Sequence, residues 1–144
     1  MASPVSTTPP NRTRSTDGFA WVGPVLIFHI AVAADWLAAE ISGSYTNSTR
    51  GVTLEQEGFI HLSRDTQAAT VLSKYYADVI DPLTLLTIDT ELLTSGWQFD
   101  DVPGAELSFP HIYGPLNPDA VVEVTPLTKD AADAWTLPTL PASI

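Results

Sequence analysis

Val25-Leu26-Ile27-Phe28-His29-Ile30 is the stretch on which the fold turns. It is short, apolar and partly β-branched, the pattern of a strand buried on both faces. The wider apolar run, residues 19–34, ends in Ala31-Val32-Ala33 and so imitates a secretory signal peptide with its small-residue cleavage site. Gly23-Pro24 and His29 inside the run are poor choices for a continuous signal helix. The run is also shorter than the ~20 residues a membrane span needs. The strand reading makes a further prediction, a helix over 33–41 with Trp36, Leu37 and Ile41 at helical spacing and Ser42-Gly43 as its stop.

Outward from this stretch the chain mixes strands and helices. Residues 44–51 are polar and loop-like, and Thr53 can cap a single helical turn over 53–56. A second strand is predicted over 58–62. A helix over 66–76 follows, with Ala68, Val71, Leu72, Tyr75 and Tyr76 on one apolar face. Residues 83–89 read as a strongly apolar third strand, 90–95 as a turn or short helix, and 97–99 as a fourth strand. A polar loop over 100–105 leads to a short irregular strand over 108–113, irregular because Pro110 cannot donate to a ladder. A last strand is predicted over 120–125, and a loose helix over 129–135 before a Pro-rich tail. Strands and helices do not alternate as βαβ units, so the expected class is α+β. The expected organisation is a disordered tail over 1–22, one domain over 23–128 and an extension over 129–144.

Composition narrows the functions. The chain has 144 residues, 44% of them hydrophobic, enough for one core. Acids outnumber bases 17 to 6, and a net charge of −11 with no basic stripe argues against general nucleic-acid binding. There is no cysteine, which excludes disulfides, thiolate chemistry and cysteine-ligated zinc. The expected setting is cytoplasmic, with no membrane association.

Chemistry is expected at the three histidines, His29, His61 and His111, each in a sharply punctuated segment. A polar ring flanked by bulky apolar residues needs a hydrogen-bond partner or a cleft. Taken singly, each reads more readily as an isolated core or surface histidine; together they suggest one site. Zinc is an alternative, but the separations of 32 and 50 residues contain no local ligand pair, so a metal-free polar cleft is preferred. Glu106, five residues before His111, is a candidate general acid or base or a stabiliser of a cationic transition state. Asp100 and Asp101 read as a solvated loop, and Trp36, Tyr75 and Tyr76 as helix-face core before ligand platform. Arg50 and Arg64 are two of only three bases over 25–128 and are candidates to receive a phosphate or carboxylate.

Ile27 to Ile30, Trp36 with Gly43 and Tyr45, Glu57 to Ser63, and Phe109 to Leu116 together resemble the pattern of the domain of unknown function 952 family, small and mainly bacterial proteins. The resemblance covers about residues 25–127, and the motifs around His61 and His111 are long and specific. Phe28 stands where the family has Tyr, and Leu62 where it often has Cys. Membership places His29 inside the folded domain and argues against cleavage after Ala33. The first two motifs are also similar to those of the ADP-ribosyltransferase superfamily, above all its RNA 2′-phosphotransferase branch. That likeness implies a split, bent β-sheet with flanking helices and a cleft for NAD or ADP-ribose. In it His29 would hold ribose hydroxyls, and His61 and Ser63 would line the cleft. Glu106 would be the carboxylate, with His111 or Tyr113 positioning the acceptor. Tyr45, Trp36 and Arg50 are expected ligand contacts in the same cleft. NAD enters this reading as a substrate, not as a resident cofactor. The superfamily's catalytic Glu motif has no obvious equivalent here, and most arginines of the phosphotransferase branch are missing. A non-catalytic nucleotide or small-anion binding module and a metal-dependent hydrolase are the alternative functions.

Overall fold

A computed structural model describes residues 23–142; the expected tail over 1–22 lies outside the described residues. The apolar run becomes β1 (Leu26–Val32), and α1 (Ala33–Ser42) follows it without a loop. Gly43 ends α1 in the left-handed region at φ 87°, returning its N–H to the Ala39 carbonyl at 2.7 Å. The polar stretch expected to be a loop is instead a small hairpin, β2 (Asn47–Thr49) against β3 (Val52–Thr53). Its strands are too short and polar to show an alternating pattern. Thr53 then caps α2 (Leu54–Glu57) reciprocally with Gln56, each side chain bonding the other's backbone N–H.

The second strand contracts to β4 (Ile60–His61), and α3 (Ala68–Tyr75) follows. β5 (Leu83–Asp89) leads through a 3₁₀ turn, Thr90–Leu92, to β6 (Trp97–Asp100). β7 (Phe109–Ile112) and β8 (Val121–Pro126) complete the two main sheets. The loose helix expected over 129–135 does not form. Those residues make a second small hairpin, β9 (Thr128–Lys129) with β10 (Trp135–Thr136), around a turn in which Asp130 accepts from Ala132 and Ala134. The segment expected as an extension lies against the domain. Trp135, Leu137 and Leu140 pack on the core, and the Trp135 indole donates to the Val79 carbonyl at 3.3 Å.

All strand pairings among the described residues are antiparallel: besides the two hairpins there are two open three-stranded sheets, ordered β1-β5-β8 and β4-β7-β6. They are joined where the backbones of Phe28 and Ser63 exchange hydrogen bonds of 2.9 and 2.7 Å. The chain changes partner there for a local reason. Leu62 donates to the Pro110 carbonyl at 3.0 Å, but Pro110 has no N–H to return. The ladder between β4 and β7 stops, and Ser63 pairs with β1. The result is a mixed helix-and-strand domain with a split between its sheets.

β1 is buried on both faces. Ile27 and Ala31 point into a cluster with Trp36 and Ala39 of α1 and Leu86 and Ile88 of β5. Phe28 and Ile30 point into another, with Leu72 of α3, Tyr76, Leu83 and Leu85. Each fully buried Leu, Ile or Phe here contributes roughly 1.5–3 kcal/mol of transfer free energy. His29 shares the Ile27–Ala31 face by strand alternation, so the sheet holds an imidazole inside a hydrocarbon layer. No helix among the described residues is long and apolar enough to cross a membrane.

Candidate functional site

His29 is 3% exposed and has both ring nitrogens engaged. Nδ1 lies 2.7 Å from the His61 carbonyl, which can only accept, so Nδ1 carries the proton. Nε2 then accepts from the Tyr45 hydroxyl at 2.9 Å. Burial lowers the His29 pKa to about 4, outweighing the raising effect of the His61 carbonyl, so the ring is neutral at pH 7. Burial likewise raises the Tyr45 pKa, so its proton stays in place. Tyr45 is itself pinned by paired backbone bonds of 3.0 Å to Leu116 and packs against Trp36. Tyr45 and Trp36, expected as ligand contacts, are the buried support of His29. His29 has no nitrogen left for the ribose contact that the resemblance implies; its Nδ1 bond ties it to the β4 backbone at His61.

The other two histidines face each other by register. His61 pairs with His111 across β4 and β7, and paired residues project from the same face. Their rings lie 4.7 Å apart at 86°. Phe59 stacks on His111 at 4.0 Å and meets His61 edge-on at 5.4 Å. Gly58, at φ 93°, ends α2 and turns the chain so that Phe59 and His61 enter this cluster. Gly114, beyond β7, is required sterically: a Cβ there would sit 2.5 Å from Ser95 Oγ.

On the far side of His111 stands Asp100, two positions from Gln98 on β6. Its carboxylate accepts from His111 Nδ1 at 2.7 Å, from the Gln98 amide at 2.5 Å and from the Tyr113 phenol. The Tyr113 and Gln98 bonds, then His111, hold the Asp100 carboxyl below the usual carboxylate range, and Asp100 in turn raises the Tyr113 phenol. Asp100 is therefore not the solvated acid its loop-like neighbourhood suggests; the sequence carried no signal for it beyond its i, i+2 spacing from Gln98. His111 is 4% exposed, and its Nε2 is buried without a protein partner.

A cavity of about 270 Å³ opens beside these rings, between β1, the residues of β4 and α3. His29, His61 and Ser63 line it, as do Glu57, Tyr76 and Phe109. His61 is half-buried, and among the described residues its ring nitrogens make no hydrogen bond; Ser63 Oγ makes none either. Burial lowers the His61 pKa, with proximity to His111 acting in the same direction. Glu57, the first residue of the His61 motif, is the carboxylate that sequence reasoning passed over.

Several expected residues lie elsewhere. His111 touches His61 from behind but does not line the cavity, and Tyr113 is exposed at Asp100. Glu106 lines a neighbouring, more open cavity. Arg50 forms an exposed ion pair with Asp78 at 2.5 Å and does not itself line the cavity. Arg64 lies over the Phe99 ring and donates to the Ser108 carbonyl and hydroxyl at 2.8 and 2.7 Å. Among the described residues no group of three or more His, Cys, Asp or Glu side chains is arranged to hold a metal ion.

The motifs that meet at this site belong to a known pattern: a family model described as a protein of unknown function, DUF952, matches residues 30–124. The chain belongs to the DUF952 family. The DUF952 match runs from β1 into β8 and so takes in His61, His111 and Asp100. Among solved structures, the crystal structure of protein CC0527 from Caulobacter crescentus is similar, with 31% identity and a TM-score of 0.67 over 77% of this chain and 93% of that one. The solution structure of CC0527 aligns over 76% and 90% of the two chains at 31% identity with a TM-score of 0.62. No curated protein matches the chain.

Proposed function

We propose that this DUF952 domain is an enzyme acting on a small N-glycoside of the NAD or ADP-ribose class, with His61 as its proton-transfer group. The observation that carries the reading is the contrast among the histidines. His61 alone presents uncommitted ring nitrogens to a cavity, beside the free hydroxyl of Ser63 and the carboxylate of Glu57. Cleaving a nicotinamide–ribose bond builds positive charge on the ribose as the bond's electron pair leaves with nicotinamide. Glu57 supplies negative charge at the cavity for that cation, and neutral His61 takes the proton from the water or hydroxyl that attacks the anomeric carbon. Asp100 and His111 stand behind His61 and fix its ring through the cross-strand contact. The split sheet with helices on both sides supports the likeness to ADP-ribosyltransferases at the level of architecture.

Purified chain incubated with NAD is expected to release nicotinamide. His61→Gln is expected to slow that release by roughly 10²–10⁴-fold, the usual worth of a positioned base, without lowering the melting temperature appreciably. The wild-type rate should fall as acid protonates His61. No release, together with no thermal shift from NAD or ADP-ribose, overturns the reading; saturable binding without release converts it to a binding module.

A further inference from the structure

We propose that the ligand site has a second compartment, in which Lys74 receives the phosphate arm of the same molecule; this rests on reading the His61 cavity as the ligand site. The neighbouring cavity, about 490 Å³, lies between one face of α3 and the loop over 102–107. The two cavities share Val71, Tyr75, Val102 and Phe109 as walls and so adjoin, and the proposed ligand spans both. The loop that forms the outer wall is tied down where it enters β7. Arg64 and Gln67, just before α3, both donate to the Ser108 carbonyl, at 2.8 and 3.0 Å.

The chemistry of the compartment follows from its two charged side chains. Of the four bases among the described residues, Arg50 is paired with Asp78, Lys129 with Asp133, and Arg64 is bonded to Ser108. Among the described residues Lys74 has no carboxylate within ion-pair distance; its ammonium lies 5.3 Å from the centre of the Tyr75 ring, and Tyr75 is a wall that both cavities share. In a chain of net charge −11, an uncommitted cation on a cavity wall is the place where an anion meets least repulsion. Glu106 is the acid on the opposite wall. An occupant that satisfies both carries an anion beside hydrogen-bond donors, which a sugar phosphate does: phosphate oxygens accept from Lys74 and a sugar hydroxyl donates to Glu106. The ligand class is thus a phosphorylated nucleoside, with its base in the inner cavity, its phosphate in the outer one and its sugar where the two meet.

Titration calorimetry of the full chain with nicotinamide riboside, nicotinamide mononucleotide and ADP-ribose separates the two claims. The phosphorylated probes are expected to bind about tenfold tighter than the riboside. Lys74→Gln, and independently Thr70→Trp, which fills the outer compartment, should each abolish that advantage and leave riboside affinity unchanged. The advantage should also shrink with added salt. If phosphate gives no advantage, or Lys74→Gln leaves it intact, the second compartment is overturned, while riboside binding weakened by His61→Ala still supports the inner site. If phosphorylated probes bind through Lys74 but the riboside does not bind and His61→Ala changes nothing, the inner site is the claim that fails. Absence of binding by all three overturns both.

Discussion

The two sheets use histidine in opposite ways. β1 and β5 are seven-residue strands, buried almost throughout, and the histidine they hold is neutral with both nitrogens satisfied. β4, β7 and β6 are two to four residues long, their polar groups meet across strands, and one imidazole is left free toward a cavity. The first sheet can tolerate a polar ring only by satisfying it completely, because an unmet group in hydrocarbon is costly. The second sheet lies beside a break in the pairing and can leave nitrogens unmet for a ligand. On the proposed reading His29 belongs to the scaffold and His61 to the chemistry, with the β4 carbonyl as their direct hydrogen-bonded link.

The largest test of that division is in the packing. Leu86→Ala in the buried centre of β5 is expected to cost about 2–5 kcal/mol of unfolding free energy, as core truncations do. Gln98→Ala on the exposed side of β6 should cost no more than about 0.5 kcal/mol. It should nevertheless release the Asp100 carboxyl toward its ordinary value, since the Gln98 amide helps hold it down. Urea unfolding and carboxyl titration by NMR check the pair. Comparable losses of stability at both positions would break the contrast between a structural sheet and a chemical one.

The same division explains what the sequence reveals. β1, β5 and α3 are legible because burial leaves a simple mark: an unbroken apolar run or a helical repeat. The Thr53 cap and the turn after Ser42 are legible because their chemistry is local. The hairpin over 47–53 and the one around Asp130 are not, since each is held by a few bonds between polar residues that read equally well as loop. At the site, the three histidines carry enough local pattern to be singled out, but their roles depend on register. Nothing within the sequence places His61 opposite His111, 50 residues away, or brings Asp100 behind it. Proximity in sequence also misleads. Glu106 is near His111 in the chain, yet the chain between them enters β7 and leaves Glu106 in the outer cavity, whereas Glu57 reaches the inner one through the turn at Gly58.

Acid offers a second test, with a sign fixed by burial. Unfolded His29 takes up a proton near pH 6.5, but the folded ring resists until about pH 4. Between those values the unfolded state binds more protons, so stability is full above about 6.5 and falls as pH drops toward 4. A displacement of that size corresponds to roughly 3 kcal/mol. The difference between wild type and His29→Gln, followed by urea midpoint from pH 7 to pH 4.5, isolates this from the carboxylates that titrate in both. Wild type should lose stability faster than the variant over this range. Parallel curves would mean that His29 is not a buried neutral ring.

Tyr45→Phe gives the sharpest division between scaffold and chemistry. The substitution removes one oxygen, whose O–H donates to His29 Nε2, and leaves the ring packed against Trp36 and its neighbours. The nitrogen left behind is buried and unmatched, a defect worth about 1–3 kcal/mol. That loss belongs to folding, so the denaturation midpoint should fall while binding of NAD, measured well below the transition, stays close to wild type. His29 keeps its Nδ1 bond to the His61 carbonyl, and β4 remains in place. The reverse result, unchanged stability with weakened NAD binding, would mean that Tyr45 and His29 reach the ligand directly, and the first sheet would then share in the chemistry.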